Sequence, residues 1–198
     1  LPILNVGAPE DSLRTQDCKV NLFHTLPSER MRTDALAQAM VARKWSQVLV
    51  LAGSSAEDNQ RLATASASLR RYGLKTVAQK SFKLSADPRD RAQANPVLLS
   101  TGLSYDAAWV VDSVGEFARS LPYNLPLPRP VVGDAGMTAL AWHPQFERFG
   151  APQVSRRFAK AAKRAMTAHD WAAWMAGKAI VAAAVATAAE TELISARG

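Results

Sequence analysis

The sequence predicts an α/β fold in which parallel sheets are flanked by helices. Two apolar runs, residues 47–52 (QVLVLA) and 107–111 (AAWVV), have the length and composition of strands that are buried on both faces. Each run is followed by a polar loop and then by a helical pattern, an order that is typical of parallel strands joined by crossover helices. With 198 residues, of which 48% are hydrophobic, the chain is long enough for one large domain or two small lobes.

Local signals predict the elements of the first half of the chain. In order, they are a strand within 1–6, a helix over 28–44, the strand at 47–52, a helix over 57–72 and a strand over 74–84. Ser28 follows Pro27 and is suited to cap the first helix. Gly73 favours the left-handed conformation that ends the second helix.

The second half of the chain continues this alternation and then becomes helical. In order, we expect a helical segment over 88–99 that Pro96 disturbs, the strand at 107–111, a helix over 115–121, a Pro-rich surface connection over 122–130, a strand over 130–133, and helices from 154 onward. Residues 150–152 (GAP) mark the predicted boundary of the helical part. The alanine-rich run 180–189 is too short for a membrane span, and Lys178 interrupts it upstream.

The predicted topology selects four loops as candidate binding residues. In an open parallel sheet, ligands bind beyond the carboxyl ends of the strands. The loops that follow predicted strands are residues 7–11, 54–55, 112–113 and 133–136. Their small residues let a ligand approach backbone amides at helix N-termini, which favour anions. Taken singly, each serine or aspartate is explained as a helix cap, so the prediction of a site depends on the whole set.

Several function classes lack the residues that they need. The sequence contains none of the motifs of serine hydrolases, P-loop proteins, HExxH zinc proteases or dinucleotide-binding enzymes. With three separated histidines and one cysteine, Cys18, we expect neither a metal site nor a disulfide within the chain. We therefore expect no cofactor and no catalytic residue.

The net charge of +7 is densest in the helical part, at Arg156, Arg157, Lys160, Lys163 and Arg164. Such a cluster can bind phosphates but is more often a solvated face. Because no zinc-finger spacing and no RNA-binding aromatic motif accompanies it, we expect no nucleic-acid partner.

Several stretches resemble a known family. Residues 43–73, a buried strand and a long helix, resemble the start of the second lobe of type I periplasmic binding proteins, the receptors of the branched-chain amino acid transport class. Residues 158–180, which include MTAHDWAAW, are similar to the late helical pair of that family. Residues 5–14, 22–28 and 127–133 resemble, more narrowly, the subfamily encoded beside pyrroloquinoline quinone-dependent alcohol oxidation systems.

The resemblance implies the substrate-binding component of an ABC transporter, located in the periplasm. Two lobes of such a protein close on a small ligand, and a membrane permease then recognises the closed form. This chain would be a central fragment, with residues 1–45 in an incomplete lobe one, 46–145 in lobe two, and 146–198 in helices that return toward lobe one. Cys18 would be able to pair with a cysteine outside the chain. Such a fragment exposes a sheet edge and apolar surface, so we expect poor solubility.

The resemblance also implies the ligand contacts. They are Ala8, Pro9 and Arg14 from lobe one, and Ser54, Ser55, Asp112, Glu116, Asp134 and Ala135 from lobe two. The subfamily adds pyrroloquinoline quinone as a ligand and periplasmic alcohol-oxidation proteins as partners. Arg14 and Arg129 are, by position, the nearest cations for this polycarboxylate. Asp134 and Glu116 argue against a crowded anion site unless they face away.

Two alternatives from other classes stay open. An intracellular ligand-sensing regulator can use the same fold; a DNA-binding helix-turn-helix before this chain would favour it, and a signal peptide would exclude it. An α/β enzyme with an unrecognised site would need a nucleophile and a base that converge in a cleft, and the sequence names neither.

Overall fold

A computed structural model of the protein describes residues 1–195, leaving aside the side chains of Pro88, Arg91 and residues 189–195. The chain forms two compact units. The sheet unit comprises residues 29–139, and the terminal unit comprises residues 1–28 together with the chain from Leu140 onward.

Helices and strands alternate along most of the chain. They are β1 (Ile3–Asn5), β2 (Leu22–His24), α1 (Glu29–Ala42), β3 (Gln47–Ala52), α2 (Ala56–Arg71), β4 (Lys75–Ser81), α3 (Pro96–Ser100), β5 (Ala107–Val111), α4 (Glu116–Asn124), β6 (Val131–Gly133), α5 (Ala151–Ala162) and α6 (Ala168–Ser195). Short 3-10 turns lie at Asp11–Arg14 and Pro88–Ala94. The predicted alternation of strands and helices is therefore confirmed.

The predicted helical segment over 88–99 is divided in two. A 3-10 turn ends before Asn95, and α3 starts at Pro96, in the first turn, where a missing backbone N–H costs nothing. The Asn95 side chain caps α3 by accepting the N–H of Val97 at 2.9 Å. Proline therefore begins a new helix here instead of disturbing an existing one.

Two predicted limits in the second half are also shifted. α4 contains Pro122 and continues to Asn124, so the surface connection begins later than the predicted 122–130. The predicted boundary at 150–152 is the first turn of α5, with Pro152 near its start. Pro152 lies in the first turn of α5, where a helix accepts proline, whereas Pro122 lies inside α4. Composition alone therefore does not locate the helix end.

The sheet unit contains a four-stranded parallel sheet in the order β4-β3-β5-β6. The chain leaves β3 toward β4 on one side and leaves β5 toward β6 on the other. The direction of winding therefore reverses between β3 and β5, and the carboxyl ends of these two strands flank the switch point at which such sheets bind ligands.

Alternate residues of the central strands face two separate cores. Val50 and Trp109 pack in one core with residues of α1 and α2. Leu51 packs in the other core, where the rings of Phe82 and Phe117 stack with their centres 3.9 Å apart. Because both faces of the sheet are covered, β3 and β5 are continuous apolar runs.

α1 belongs to the sheet unit, whereas the sequence assigns residues 1–45 to one lobe. Its Leu36 and Met40 are buried in the core shared with α2, and the hydroxyls of Thr33 and Ser68 lie 2.8 Å apart across the two helices. The two compact units of this chain divide at 28 and 139. The assignment of the two units to the lobes of a larger protein stays a prediction.

The terminal unit has a small sheet and a small aromatic core. β1 and β2 pair in parallel, with Ile3 opposite Leu22. The rings of Trp142 and Trp171 stack with their centres 4.4 Å apart, in a cluster that includes Met166.

α6 extends beyond this aromatic core, and every residue from 177 to 188 is exposed. By length and composition alone, Ala168–Ala188 is long and apolar enough to cross a membrane, and 11% of its apolar window is buried. This stretch is longer than the predicted run of 180–189 because the helix already begins at Ala168. Lys178 lies in the middle of the stretch.

Candidate functional site

Three loops lie at the carboxyl edge of the sheet unit, and we call them the rim: residues 53–58, 112–116 and 133–136. The first two loops follow β3 and β5 and meet at the switch point. Gly53 N–H donates to the carbonyl of Val111 at 2.9 Å, and the hydroxyls of Ser55 and Ser113 lie 3.4 Å apart.

Ser55 and Asp58 form a capping box at the start of α2. Asp58 N–H donates to Ser55 Oγ at 3.0 Å, and the backbone N–H of Ser55 donates back to Asp58 Oδ2 at 3.4 Å. The Ser55 hydroxyl also donates to Asp58 Oδ2, at 2.7 Å. The other carboxylate oxygen, Oδ1, accepts the N–H of Ser113 at 2.7 Å. Burial raises the pKa of Asp58, but the hydrogen bonds from Ser55 and Ser113 outweigh it, so the pKa lies below its ordinary value. The cap of α2 therefore also holds the loop after β5.

Gly53 leaves the space that the Asp58 carboxylate occupies. A Cβ atom at Gly53 would lie 2.2 Å from Asp58 Oδ2 and 2.8 Å from its Cγ. A side chain at position 53 would therefore displace the Asp58 carboxylate from its present place.

Consecutive backbone N–H groups of the loop after β5 donate to carboxylates. The pairs are Asp112 N to Asp134 Oδ2 (2.7 Å), Ser113 N to Asp58 Oδ1 (2.7 Å) and Val114 N to Asp112 Oδ1 (3.2 Å). Asp112 is 4% exposed, and its Oδ2 also accepts the N–H of Ala118 at 2.9 Å. Asp112 therefore caps α4, whose N-cap position is Gly115 and has no side chain to do so.

An ion pair connects α2 to the loop after β6. Arg61 Nη2 donates to Asp134 Oδ1 at 2.5 Å, and Arg61 Nε lies 3.6 Å from Glu29 Oε1. Burial lowers the pKa of Arg61, but Asp134 and Glu29 outweigh it, so the pKa is raised. The guanidinium is therefore engaged by two carboxylates of the sheet unit itself.

A cavity beside this ion pair is too small for a solute. Its lining includes Glu29, Arg32, Arg61, Trp109 and Asp134, and its volume is about 20 Å³. That volume is on the scale of one water molecule. This cavity therefore does not hold a solute.

The predicted residues of the sheet unit come together on the rim in different roles. Ser55 and Asp112 are helix caps, and Asp134 is an ion-pair partner. Ser54 and Glu116 are exposed. Ala135 is half-buried against the core that contains Phe117. Contact of any of these six residues with a ligand stays a prediction.

The predicted residues of the terminal unit lie after β1. Asn5 holds this loop: its Oδ1 accepts the N–H of Ala8, and its Nδ2 donates to the carbonyl of Ala8, both at 2.8 Å. Pro9 is half-buried. Arg14 Nη2 donates to the carbonyl of Leu26 at 2.5 Å, and its Nη1 is buried with no hydrogen-bond partner among the described residues.

Arg129, the other predicted cation, lies at the opposite edge of the sheet. Its charge acts on Asp106, which accepts the N–H groups of Ser46 and Gln47 at 2.8 and 2.9 Å, just before and at the start of β3. These hydrogen bonds, Gln47 first, and the charge of Arg129 lower the pKa of Asp106. A residue that precedes a parallel strand lies at its amino end, so the prediction that Arg129 is near a ligand at the rim is wrong.

Sequence reasoning missed Asp58 and Arg61. The spacing of Ser55 and Asp58 is that of a capping box, and this local signal indicates that Asp58 lies at the start of α2. No local signal pairs Arg61 with Asp134, because 73 residues separate them.

Metal ligands and the cysteine give no further site. In the part of the chain that the structure describes, no group of three or more His, Cys, Asp or Glu side chains could hold a metal ion. Cys18 is exposed, and its pairing with a cysteine outside the chain stays a prediction.

Comparison with known proteins gives matches among solved structures. No family model matches, and no curated protein matches. A solute-binding protein of an ABC transporter from R. palustris, in complex with benzoate, is 15% identical with a TM-score of 0.64; the match covers 89% of this chain and 53% of that one. A leucine-, isoleucine-, valine-, threonine- and alanine-binding protein from Brucella ovis is 14% identical with a TM-score of 0.63, covering 87% of this chain and 49% of that one.

A third match is a periplasmic ligand-binding protein. It is a branched-chain amino acid ABC transporter periplasmic ligand-binding protein from Burkholderia xenovorans, 12% identical with a TM-score of 0.62, and the match covers 86% of this chain and 50% of that one. At these identities the likeness concerns the fold. The chain has the α/β fold of type I periplasmic binding proteins, with parallel sheets flanked by helices, and it spans about half the length of the solved structures that it matches.

Proposed function

We propose that this chain is part of the solute-binding component of an ABC importer and that it binds a small solute at the rim. The observation that carries this proposal is the position of the rim at the switch point between β3 and β5, where Ser55 and Ser113 meet. The matched structures support it, since they are solute-binding transport proteins with the same fold.

The rim favours binding over catalysis. On the rim, the Ser55 hydroxyl lies beside the Asp58 carboxylate, but it accepts the N–H of Asp58 and donates to that carboxylate at 2.7 Å. This hydroxyl is therefore engaged in capping α2 and is not poised as a nucleophile. The exposed groups, Ser54, Ser113 and Glu116, are suited to hydrogen bonding with a solute.

The proposed solute is a small organic molecule of the size of benzoate or an amino acid. The R. palustris protein is in complex with benzoate, and the Brucella ovis protein is named for five amino acids. A periplasmic location and a membrane permease as partner belong to the same proposal. Ala8, Pro9 and Arg14 of the terminal unit are proposed as further contacts on the resemblance alone.

Pyrroloquinoline quinone is a narrower candidate, with alcohol-oxidation proteins as partners, and it too rests on the resemblance alone. The geometry of the sheet unit does not favour it. Arg61 is engaged by Asp134 and Glu29, and Arg129 lies at the other edge of the sheet. A polycarboxylate at the rim would meet the Glu116 carboxylate, and the nearby Arg119 guanidinium already donates from Nε to the carbonyl of Gly115 at 2.9 Å.

Isothermal titration of the chain with benzoate, leucine and pyrroloquinoline quinone tests the proposal. We expect saturable binding of benzoate or leucine, weakened about fivefold or more when Ser113→Ala removes a hydroxyl of the rim. Ser46→Ala is the matched control, because Ser46 is also an exposed serine but lies at the amino edge of β3, and it should leave the affinity unchanged.

Binding that Ser113→Ala and Ser46→Ala weaken equally would contradict a site at the rim. Saturable binding of pyrroloquinoline quinone alone would contradict the proposed solute class and identify the quinone as the ligand. Absence of binding by all three compounds would contradict the proposed ligand class.

A further inference from the structure

The backbone amides of the loop after β5 are in the position at which α/β folds bind ligand anions. Free N–H groups at such a loop and helix start are ready donors to a phosphate or carboxylate. In this chain the N–H of Asp112 is bound to Asp134 and the N–H of Ser113 is bound to Asp58, each at 2.7 Å. Carboxylates of the protein therefore occupy the donors that a ligand anion would use.

Both carboxylates are themselves held in place. Asp58 is 3% exposed and is fixed by the Ser55 hydroxyl through the capping box. Asp134 is fixed by Arg61, whose Nη2 lies 2.5 Å from its Oδ1. A ligand would have to displace a preformed, charge-assisted hydrogen bond to reach either amide.

We propose that Asp58 and Asp134 are positioning residues that serve as built-in anions of the loop after β5, and that the ligand group facing this loop is neutral or positively charged. This inference rests on the proposed function, because it concerns the ligand of the same rim. Two exposed groups beside the loop agree with it: Ser113 offers a hydroxyl, and Glu116 repels an anion. The exposed Arg119 guanidinium also lies beside the loop, where its Nε donates to the carbonyl of Gly115 at 2.9 Å.

Amide hydrogen exchange, followed residue by residue by NMR, tests the positioning role. Asp58→Asn should speed exchange of the Ser113 amide about tenfold or more, and Asp134→Asn should do the same for the Asp112 amide. A purely structural role would instead speed exchange evenly throughout the sheet unit, with no larger effect at the Ser113 or Asp112 amide.

Asp106→Asn is the matched control for these variants. Asp106 also accepts backbone N–H groups, those of Ser46 and Gln47, but at the opposite edge of the sheet. The Asp106→Asn substitution should leave hydrogen exchange at the Asp112 and Ser113 amides unchanged. Equal effects of all three substitutions on the rim, or no local effect of Asp58→Asn and Asp134→Asn, would overturn the positioning role.

Titration with inorganic phosphate tests the second half of the proposal without reference to a natural ligand. In the wild-type chain the amide resonances of Asp112 and Ser113 should not move, whereas in Asp58→Ala the freed Ser113 amide should shift saturably. Asp134→Ala, which frees the Asp112 amide, is the second variant in case the first does not fold. Saturable shifts of either amide in the wild-type chain would overturn the inference.

These measurements and the solute titration can reject the two proposals independently of each other. If neither benzoate nor leucine binds but the exchange and phosphate results are as expected, the proposed function fails while the roles of Asp58 and Asp134 stand. If a solute binds and its carboxylate shifts the wild-type Ser113 amide, the proposed function stands and this inference fails.

Discussion

The carboxylate of Asp58 accepts the backbone N–H of Ser113 at 2.7 Å across 55 residues of sequence. The same carboxylate caps α2 through Ser55. One buried side chain thus joins the start of a helix to the loop after the neighbouring strand, and it does so at the switch point of the sheet.

Gly53→Ala should destabilise the sheet unit. The new Cβ would lie 2.2 Å from Asp58 Oδ2, so the carboxylate would have to leave Ser55 and Ser113. We expect a loss of about 1–3 kcal/mol in the free energy of unfolding, measured by urea denaturation. Gly177→Ala is the control, since nothing lies within 4 Å of its Cβ and alanine favours a helix by roughly 0.5–1 kcal/mol. Equal stability of the Gly53→Ala and wild-type chains would contradict the packing described here.

The stability of the sheet unit should fall in acid through Asp58. The pKa of Asp58 in the folded chain lies below its ordinary value of 3.8, so the folded state binds the proton less tightly than the unfolded state. Its contribution is therefore complete well above pH 3.8 and is lost as the pH falls through the folded pKa. Urea denaturation between about pH 5 and pH 3 should show a steeper loss for the wild-type chain than for Asp58→Asn. Identical slopes would show that this carboxylate has no such role.

Arg61→Met should destabilise the sheet unit and loosen the loop after β6. The Arg61 side chain is 23% exposed and balances Asp134 and Glu29, so its removal takes away the cation bound to Asp134, whereas Glu29 keeps its ion pair with Arg32. We expect a loss of about 1–3 kcal/mol in thermal or chemical unfolding. Arg89→Met removes an ion pair with Asp87 in which the arginine is 89% exposed, and this control should change little. A smaller effect at Arg61 than at Arg89 would contradict the assignment.

The exposed half of α6 should make the isolated chain prone to association. Ile180, Val181 and Val185 are 58%, 60% and 64% exposed, in a stretch where every residue from 177 to 188 is exposed. Replacing the three by serine should lower ANS fluorescence and raise the soluble fraction without changing the melting of the sheet unit.

A matched control variant introduces the same number of serines into α6 but removes little apolar surface. Ala183→Ser, Ala184→Ser and Ala186→Ser lie in the same part of α6, and the combined variant should behave like the wild-type chain. A wild-type chain that is soluble, monomeric and free of ANS binding would contradict the expectation of poor solubility.

Local chemistry made much of the fold predictable. Residues 47–52 and 107–111 are apolar at every position that must face one of two cores, so their burial can be read from composition. The limits of helices were less predictable near proline, because Pro96 begins a helix while Pro122 lies inside one. Whether α1 belongs to the sheet unit or to the terminal unit depended on its packing against α2. Helical periodicity shows which face of α1 is apolar, but it does not show which element packs against that face.

The sequence by itself determined the sheet-building strands, the alternation with helices, and the loops that reach the carboxyl edge, because these follow from hydrophobic pattern and chain order. Only the tertiary structure decided what the polar residues of those loops do. Asp58 with Ser113 and Arg61 with Asp134 are pairs separated by 55 and 73 residues, and no local signal specifies them. The physical reason is that a buried carboxylate takes whichever donor the packing of distant strands brings within reach.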